Sequence, residues 1–256
     1  MTHWIRFEHA GVVNFGTLTD NTISLHEGDI FNEPCDTGVE LRLEEVTSLI
    51  PTAAGKMIAL WNNSRAMAEK LKQATPIEPL YFIKANGCYL GTQETIRKPP
   101  SYAGKVVFEG ELGIVIGRKC RVVSKDESSR YIFGYTCIND ITAVELIGKD
   151  STFQQWTRAK SFDTFGAVGP VVTTGLDPAH LSIRTVVNGQ ERQHYPVSDL
   201  IFQPAEIVSA LSQDMTLDAG DIICCGTSVG VGSMKPGTVV EVTIEGIGTL
   251  RNQYVD

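Results

Sequence analysis

Length, composition and charge exclude several classes of protein. The 256 residues, 42% hydrophobic and 20% charged, are typical of an ordinary globular protein of one domain or two modest ones. A formal net charge of -8 argues against non-specific binding to nucleic acid, which needs a basic surface. No apolar run approaches membrane-spanning length and the first eight residues lack the apolar core of a signal peptide, so we expect a soluble, cytoplasmic protein.

The cysteines indicate the redox state of the chain. The six cysteines show neither a CxxC pattern nor the Cys/His spacing of a zinc site. Cys224 and Cys225 are adjacent in an apolar, strand-like run and would face opposite ways there. We therefore expect reduced and mostly buried thiols, as in a cytosolic protein.

The first 52 residues predict a small N-terminal β-region. Short strands are expected at residues 4–7, 12–18 and 22–26, separated by Gly, Asn and Asp. A helix is predicted over residues 40–50, ended by Pro51. Small residues follow, so we place a domain boundary there and assign residues 53–256 to a second, larger domain.

The larger domain has many short strands and few helices. Strands are predicted at residues 56–61, 81–84, 106–116, 132–141, 171–174, 181–187, 222–225, 239–244 and 248–251, and helices at 62–72, just after the capping-box residues 124–127, and at 204–212. Asn188-Gly189 is typical of a hairpin turn. This ratio favours an α+β fold that is mostly β, with an antiparallel core and not a parallel α/β sheet.

Residues 106–116 form the most informative stretch. β-Branched and apolar residues predict a strand, yet Glu109 and Glu111 lie within it, two positions apart and therefore on one face. Like charges among apolar neighbours repel and resist burial, and a divalent cation bound by oxygens would compensate them. The alternative is a half-exposed strand with a solvated acidic face.

A third carboxylate, Asp140, ends the apolar strand predicted at residues 132–141. Glu109, Glu111 and Asp140 form an all-oxygen set without histidine, which suits Mg²⁺, Mn²⁺ or Ca²⁺ and disfavours zinc or copper. The set does not match an EF-hand, and three carboxylates leave positions open for substrate or water.

Two further features could contact an anion. Lys160 is the best cation to face an anionic substrate, and the alternative is a surface lysine paired with Asp163. Gly226-Thr227, followed by more glycines, is typical of a loop whose backbone N–H groups approach an anion, although a plain glycine-rich hairpin would look the same. No Walker, dinucleotide or Gly-x-Ser-x-Gly signature occurs.

Together these motifs resemble the fumarylacetoacetate hydrolase family, above all its short bacterial members. The resemblance covers roughly residues 56–252 and rests on Glu109-x-Glu111, residues 134–140, residues 160–165, Gly169-Pro170, Asn188-Gly189, residues 220–223 and residues 226–232. It implies a twisted, mostly antiparallel β-roll, a catalytic role for residues 53–256 and a homodimer.

The resemblance also implies a Mg²⁺ or Mn²⁺ ion held by Glu109, Glu111 and Asp140. Family members act on small-molecule 2-oxo and 2,4-dioxo acids by acylpyruvate hydrolysis, by decarboxylation (including steps of aromatic catabolism), or by isomerisation, hydration and tautomerisation. A 2-oxo acid can chelate such an ion, which then acts as a Lewis acid for the enolate. Lys160 would steady the carboxylate or enolate, and Gly226 and Thr227 would bind the substrate.

Two departures from the family pattern affect the expected reaction. Glu69 matches a family glutamate, but Ala66 stands where hydrolytic members have a histidine, and Val144 replaces a substrate-binding arginine. General-base assistance typically contributes about 10²–10⁴-fold. The resemblance therefore favours a lyase, decarboxylase or isomerase with Glu69 and Lys160 as catalytic residues. A C–C hydrolase of the acylpyruvate type is a close alternative, and a catalytically silent metal-binding relative is a third.

Overall fold

The computed structural model describes residues 1–256 and is built mostly of β-strands. The 20 strands are β1 Thr2–His9, β2 Val12–Thr19, β3 Thr22–Asp29, β4 Asn32–Arg42, β5 Thr47–Ser48, β6 Met57–Trp61, β7 Leu80–Lys84, β8 Tyr89–Leu90, β9 Thr95–Arg97, β10 Val106–Phe108, β11 Gly110–Ile116, β12 Ile132–Asp140, β13 Thr142–Ala143, β14 Gly166–Thr174, β15 Ser182–Val187, β16 Gln190–Pro196, β17 Ile222–Cys224, β18 Gly232–Ser233, β19 Val239–Ile244 and β20 Gly248–Val255.

The helices are few and short. The α-helices are α1 Arg65–Leu71, α2 Lys125–Ser128, α3 Trp156–Lys160 and α4 Pro204–Asp214. Single 3₁₀ turns are Leu43–Glu45, Asn86–Cys88, Ser129–Tyr131, Val144–Leu146, Pro178–His180 and Val197–Asp199. The predicted mostly-β fold with few helices is confirmed. None of the helices has the length and the apolar composition that a membrane-spanning helix needs.

The strands form three sheets. The largest has 12 strands in the order β4-β3-β2-β1-β14-β12-β11-β17-β6-β7, with β5 beside β1 and β8 beside β14. A three-stranded sheet has the order β13-β10-β18, and a five-stranded sheet the order β16-β15-β19-β20-β9. Only the pairs β17–β6, β14–β8 and β20–β9 are parallel, so the sheets are predominantly antiparallel, as predicted.

The predicted helix at residues 40–50 is wrong. Residues up to Arg42 continue β4, which pairs with β3 so that Leu41 lies opposite Ile23. The capping box between Arg42 and Glu45 closes a single 3₁₀ turn, after which β5 pairs with β1. Pairing with β3 satisfies the backbone groups that a helix would have satisfied internally, and it keeps Leu41 against the core.

The centre of the large sheet is buried on both faces. On one face, Leu112 and Ile114 of β11 pack in the main core, which also contains residues of the five-stranded sheet. On the other face, Val115 packs in a smaller apolar cluster with Ile138 and Phe82. The alternative of a half-exposed strand with a solvated acidic face is therefore wrong, because β11 has no solvent face.

The predicted strand over residues 106–116 is interrupted at Glu109. Residues before it form β10, which pairs with β13 and β18, whereas β11 belongs to the large sheet. The chain therefore passes from one sheet to another at Glu109. This transition lies at the edge of the carboxylate cluster.

The cysteine prediction agrees with the structure. All six cysteines are free, and five are buried while Cys35 is exposed. Burial raises the pKa of the Cys137 thiol to about 12, so it stays protonated and inert.

Candidate active site

Three carboxylates converge where the end of β12 lies beside the start of β11, next to the interruption between β10 and β11 at Glu109. One carboxylate oxygen from each of Glu109, Glu111 and Asp140 lies within 4.8 Å of the other two. The antiparallel register of β11 and β12 causes this, because the Asp140 N–H donates to the Glu109 carbonyl at 2.9 Å. Glu111 and Asp140 are 1% and 0% exposed, so two of the carboxylates are essentially out of water.

Two buried lysines face this cluster. Lys160, at the end of α3, places its Nζ 2.7 Å from Glu109 Oε2 and 2.6 Å from Asp140 Oδ2. It is 3% exposed, so the alternative of a surface lysine paired with Asp163 is wrong. Lys84, at the end of β7, places its Nζ 2.5 Å from Asp140 Oδ1 and also donates to the Phe165 carbonyl at 3.1 Å.

Sequence reasoning missed Lys84. The only available signal was a lysine at the end of an otherwise apolar strand, which usually reaches solvent. Lys84 is instead fully buried, and its partner Asp140 lies 56 residues away in the chain.

Burial and neighbouring charge shift the carboxyl pKa values in opposite directions. Burial raises the pKa of Glu111 well above its usual value, and the charge of Asp140 raises it further. Burial also raises the pKa of Glu109, against the pull of Lys160. For Asp140, burial would raise the pKa, but the ammonium groups of Lys160 and Lys84 outweigh it and hold the pKa below its usual value.

The cluster fits a divalent cation on the chemistry of its donors. Three carboxylates against two ammonium groups leave one net negative charge when all five are ionised. Oxygen ligands without nitrogen or sulfur suit Mg²⁺ or Mn²⁺. A divalent ion would make the site net positive and ready for an anionic ligand. Glu109, Glu111 and Asp140 are the residues that would hold it.

The glycine loop after β17 closes over the cluster. The Gly226 N–H donates to Glu111 Oε2 at 2.7 Å, with the glycine at φ +95°, which L side chains rarely adopt. The Thr227 hydroxyl donates to the Gly110 carbonyl at 3.0 Å and accepts from Gln193 at 2.9 Å. The loop is not a hairpin, because β17 pairs with β6 and β11 whereas β18 pairs with β10.

Gly110, between the two glutamates, is required by close packing. A Cβ there would lie 2.0 Å from Thr185 Oγ1 on β15, too close for any side chain. Gln193 on β16 accepts the Gly110 N–H at 3.0 Å, so the five-stranded sheet supports the cluster from behind. Gln193 was also missed by sequence reasoning, since its position in a hairpin strand gives no functional signal.

The structure does not bring Glu69 to the cluster. Helix α1 begins after Ser64, whose hydroxyl accepts from the Met67 N–H, and not after Asn62 or Asn63. Glu69 is exposed, whereas Met67, Lys70 and Leu71, at positions i, i+3 and i+4, line the apolar cavity that is described next. Residue 69 lies about 200° around the helix from residue 67, so Glu69 points elsewhere. Its catalytic role stays a prediction.

An apolar cavity adjoins the cluster. Its volume is about 290 Å³, and Glu109 and Thr227 form the side next to the carboxylates. Trp61 and Trp156 line it with ring centroids 4.6 Å apart, and Phe82 stacks on Trp156. The Lys160 Nζ lies 5.6 Å from the Phe82 ring centroid. None of the five histidines of the chain lines this cavity.

Comparison with known proteins gives the family. The family model described as fumarylacetoacetate (FAA) hydrolase C-terminal matches residues 56–255. The chain belongs to the fumarylacetoacetate hydrolase family. A second model, described as Rv2993c-like, N-terminal, matches residues 2–51.

Solved structures and relatives with named activities support the assignment. The 2-hydroxyhepta-2,4-diene-1,7-dioate isomerase of Mycobacterium marinum is 38% identical with a TM-score of 0.91, covering 100% of this chain and 98% of that one. The oxaloacetate tautomerase YisK of Bacillus subtilis is 35% identical, covering 80% of this chain and 71% of the relative.

A more distant structure contains a metal. The fumarylpyruvate hydrolase of Pseudomonas aeruginosa, in complex with Mn²⁺ and pyruvate, is 25% identical with a TM-score of 0.74, covering 82% of this chain and 91% of that one. Family relatives are thus isomerases, tautomerases and hydrolases acting on small molecules, and the family includes members that bind a divalent metal. The chain is an enzyme, so we do not retain the silent-relative alternative.

Proposed function

We propose that this enzyme uses Mg²⁺ or Mn²⁺ to isomerise, tautomerise or decarboxylate a 2-oxo or 2,4-dioxo carboxylic acid. The observation that carries the proposal is the buried cluster of Glu109, Glu111 and Asp140, held by Lys160 and Lys84 and open to an apolar cavity. The isomerase and tautomerase activities of the relatives named above support the same class of reaction.

The roles of the residues follow from their positions. The three carboxylates would hold the cation, which supplies Lewis acidity at the 2-keto oxygen when bound. Lys160 places a positive charge beside two of these carboxylates, where it favours an anionic substrate or enolate. The Thr227 hydroxyl is held by Gly110 and Gln193, so its contribution to binding is through the backbone N–H and the position of the loop.

The absence of a histidine near the cluster favours proton transfer or decarboxylation over hydrolysis. C–C hydrolysis needs an activated water, and neither the cavity nor the cluster contains a neutral imidazole. Enolisation needs a group that removes a proton from carbon, a role proposed for Glu69, and decarboxylation releases CO₂ before a proton is added. Neither reaction needs an activated water, and both need stabilisation of the negative charge on the carbon skeleton. Buried cations beside the substrate provide that stabilisation.

The direct test offers oxaloacetate, acetylpyruvate and fumarylpyruvate with Mg²⁺, Mn²⁺ or chelator, and follows enol absorbance. We expect metal-dependent turnover of at least one acid, and a loss of at least about 100-fold in Lys160→Met. The exposed Lys149→Met variant is the matched control and should keep wild-type activity. Oxalate that fails to bind with metal, together with no turnover, would refute the proposal.

Hydrolysis is the second candidate, favoured by the likeness to the fumarylpyruvate hydrolase. Incorporation of ¹⁸O from labelled water into a carboxylate product separates it from isomerisation and decarboxylation. For either reaction Glu69 is the proposed proton carrier, which requires α1 to rotate or shift toward the cluster. Wild-type turnover in Glu69→Gln would remove Glu69 from the mechanism.

We also propose that the enzyme is a cytoplasmic homodimer whose residues 53–256 form the catalytic domain, behind an N-terminal β-region of residues 1–52. The division into two regions is supported by the two family models, one of which ends at residue 51 and the other of which begins at residue 56. Light scattering after size exclusion tests the dimer, and a single-chain mass would contradict it.

A further inference from the structure

We infer that the apolar cavity beside Glu109 binds the distal part of the substrate and selects an uncharged, apolar tail. This inference rests on the proposed function, because the carboxylate cluster must hold the acid end of the same molecule. The cavity meets the cluster at Glu109 and Thr227, so a 2-oxo acid held there extends into it.

The cavity has the size and lining of a tail pocket. Nine of its 13 lining residues are hydrophobic. A cavity of about 150 Å³ lined by apolar side chains is known to bind benzene, so about 290 Å³ holds a ring or a branched chain with space remaining. The tryptophan pair of Trp61 and Trp156 offers flat faces for a ring or a conjugated chain.

Exposed apolar side chains at the same place indicate a binding surface. Leu71, at the end of α1, is 46% exposed and Val144 is 39% exposed, and both line the cavity. Apolar side chains left in solvent around a concave surface mark a binding site, because covering them removes apolar area from water.

The charges of the cavity disfavour an acidic tail. Glu109 carries the one negative side chain of the lining, and it is bonded to Lys160. Lys70 is the one cation of the lining, and it is exposed. A distal carboxylate inside the cavity would lose its hydration without gaining a buried partner. An apolar tail gains roughly fourfold in affinity for each methylene that is fully buried.

The test measures dissociation constants by calorimetry on the full chain with Mn²⁺, using acids of matched length. We use pyruvate, 2-oxohexanoate, and 2-oxoadipate, which is 2-oxohexanoate with its terminal methyl replaced by a carboxylate. We expect 2-oxohexanoate to bind at least about tenfold more tightly than either of the others.

The outcomes separate this inference from the proposed function. Suppose that oxalate and pyruvate bind in the presence of metal, but 2-oxoadipate binds as tightly as 2-oxohexanoate or more tightly. This result would overturn the apolar-tail inference alone and would assign Lys70 to a distal carboxylate. Oxalate that does not bind in the presence of Mn²⁺ would overturn both.

A variant pair locates the tail. Val144→Arg should weaken 2-oxohexanoate by at least about tenfold and strengthen 2-oxoadipate, since it places a cation in the cavity wall. Leu71→Arg, on helix α1, should change both constants in the same directions. The control is Val39→Arg on β4, which is 47% exposed and outside the cavity, and it should leave both constants unchanged. An unchanged order of affinities in both cavity variants would overturn the inference.

Discussion

Two buried charge clusters lie at opposite ends of β17, and they balance their charges differently. Before the strand, the fully buried Asp221 receives the Lys56 ammonium at 2.5 Å and the backbone N–H groups of Lys56 and Asp218 at 3.1 and 2.7 Å. After the strand, Glu111 receives the Gly226 N–H and no ammonium, and shares its site with two more carboxylates.

The difference separates a structural ion pair from a binding site. Asp221 has one cation and two backbone donors of its own, so its charge is compensated within the chain and ties β6 to β17. When all five groups are ionised, the carboxylate cluster has one net negative charge in a largely buried environment, a cost to folding that a bound cation would remove. A buried charge that the chain itself does not compensate is typical of a functional site, whereas a structural ion pair compensates its own charges.

The largest expected effect comes from removing the carboxylate that both buried lysines share. Asp140→Asn should lower the free energy of unfolding by about 3–5 kcal/mol, because Lys84 and Lys160 lose their common counter-charge in a dry environment. Urea unfolding in chelator measures it. The control is Glu206→Gln at the exposed Lys125 pair, which should change little. Wild-type stability in Asp140→Asn would show that the lysines do not depend on this charge.

Metal addition should stabilise one cluster and not the other. Mg²⁺ or Mn²⁺ at about 100 times its dissociation constant should raise the free energy of unfolding by about 2.7 kcal/mol, since only the folded state binds it. For a chain of this size the melting temperature should rise by about 5–10 °C. Differential scanning calorimetry checks this. The Asp221→Asn variant should show the full metal-induced increase in stability. Loss of that increase in this variant would show that the two charge clusters are not independent.

Removing the ion pair of Asp221 and Lys56 should lower stability without changing metal binding. Asp221→Asn should lower the free energy of unfolding by about 2 kcal/mol, less than Asp140→Asn because Lys56 is 23% exposed and water replaces part of its partner. Metal affinity, measured by calorimetry, should stay at the wild-type value. A loss of metal affinity would mean that the two ends of β17 are coupled.

Neutralising Glu111, which has no ammonium partner, should have the smallest effect on the free energy of unfolding, and it should increase that free energy. In chelator at alkaline pH, Glu111→Gln should raise the free energy of unfolding by about 1 kcal/mol, the usual size of a stabilising substitution, because burial and the charge of Asp140 disfavour the ionised form of the wild-type group. Because the pKa of Glu111 is raised in the folded state, this cost grows as pH rises from the ordinary glutamate pKa toward the raised one, and it is constant above that. Glu111→Gln should also abolish the metal-induced increase. A less stable variant would show that Glu111 is already compensated.

The three carboxylates of the site could be predicted from their positions in or at the end of apolar strands. Glu109 and Glu111 stood out because carboxylates are rare in apolar strands, and Asp140 because it ends one. Lys84 could not be predicted, since a lysine at a strand end is ordinarily solvated. Its burial depends on the packing of α3 and β12 around it, which supply the Lys160 carbonyl and the Asp140 carboxylate as partners.

Predictions from local patterns failed where long-range pairing decides the structure. Residues 40–50 have apolar spacing compatible with a helix, but β3 offers a partner strand that the local pattern does not reveal. The break at Glu109 has the same origin, because β10 and β11 find partners in different sheets.

By itself, the sequence determined the family, the mostly-β fold, the three clustered carboxylates and the lysine beside them, because these depend on residue type, alternation and motif order. The tertiary structure alone decided that Glu111 and Asp140 are buried, that Lys84 is a second cation, that Glu69 faces solvent and that an apolar cavity adjoins the site. Each of these follows from contacts between residues far apart in the chain, whose burial and charge balance exist only once the sheets have assembled.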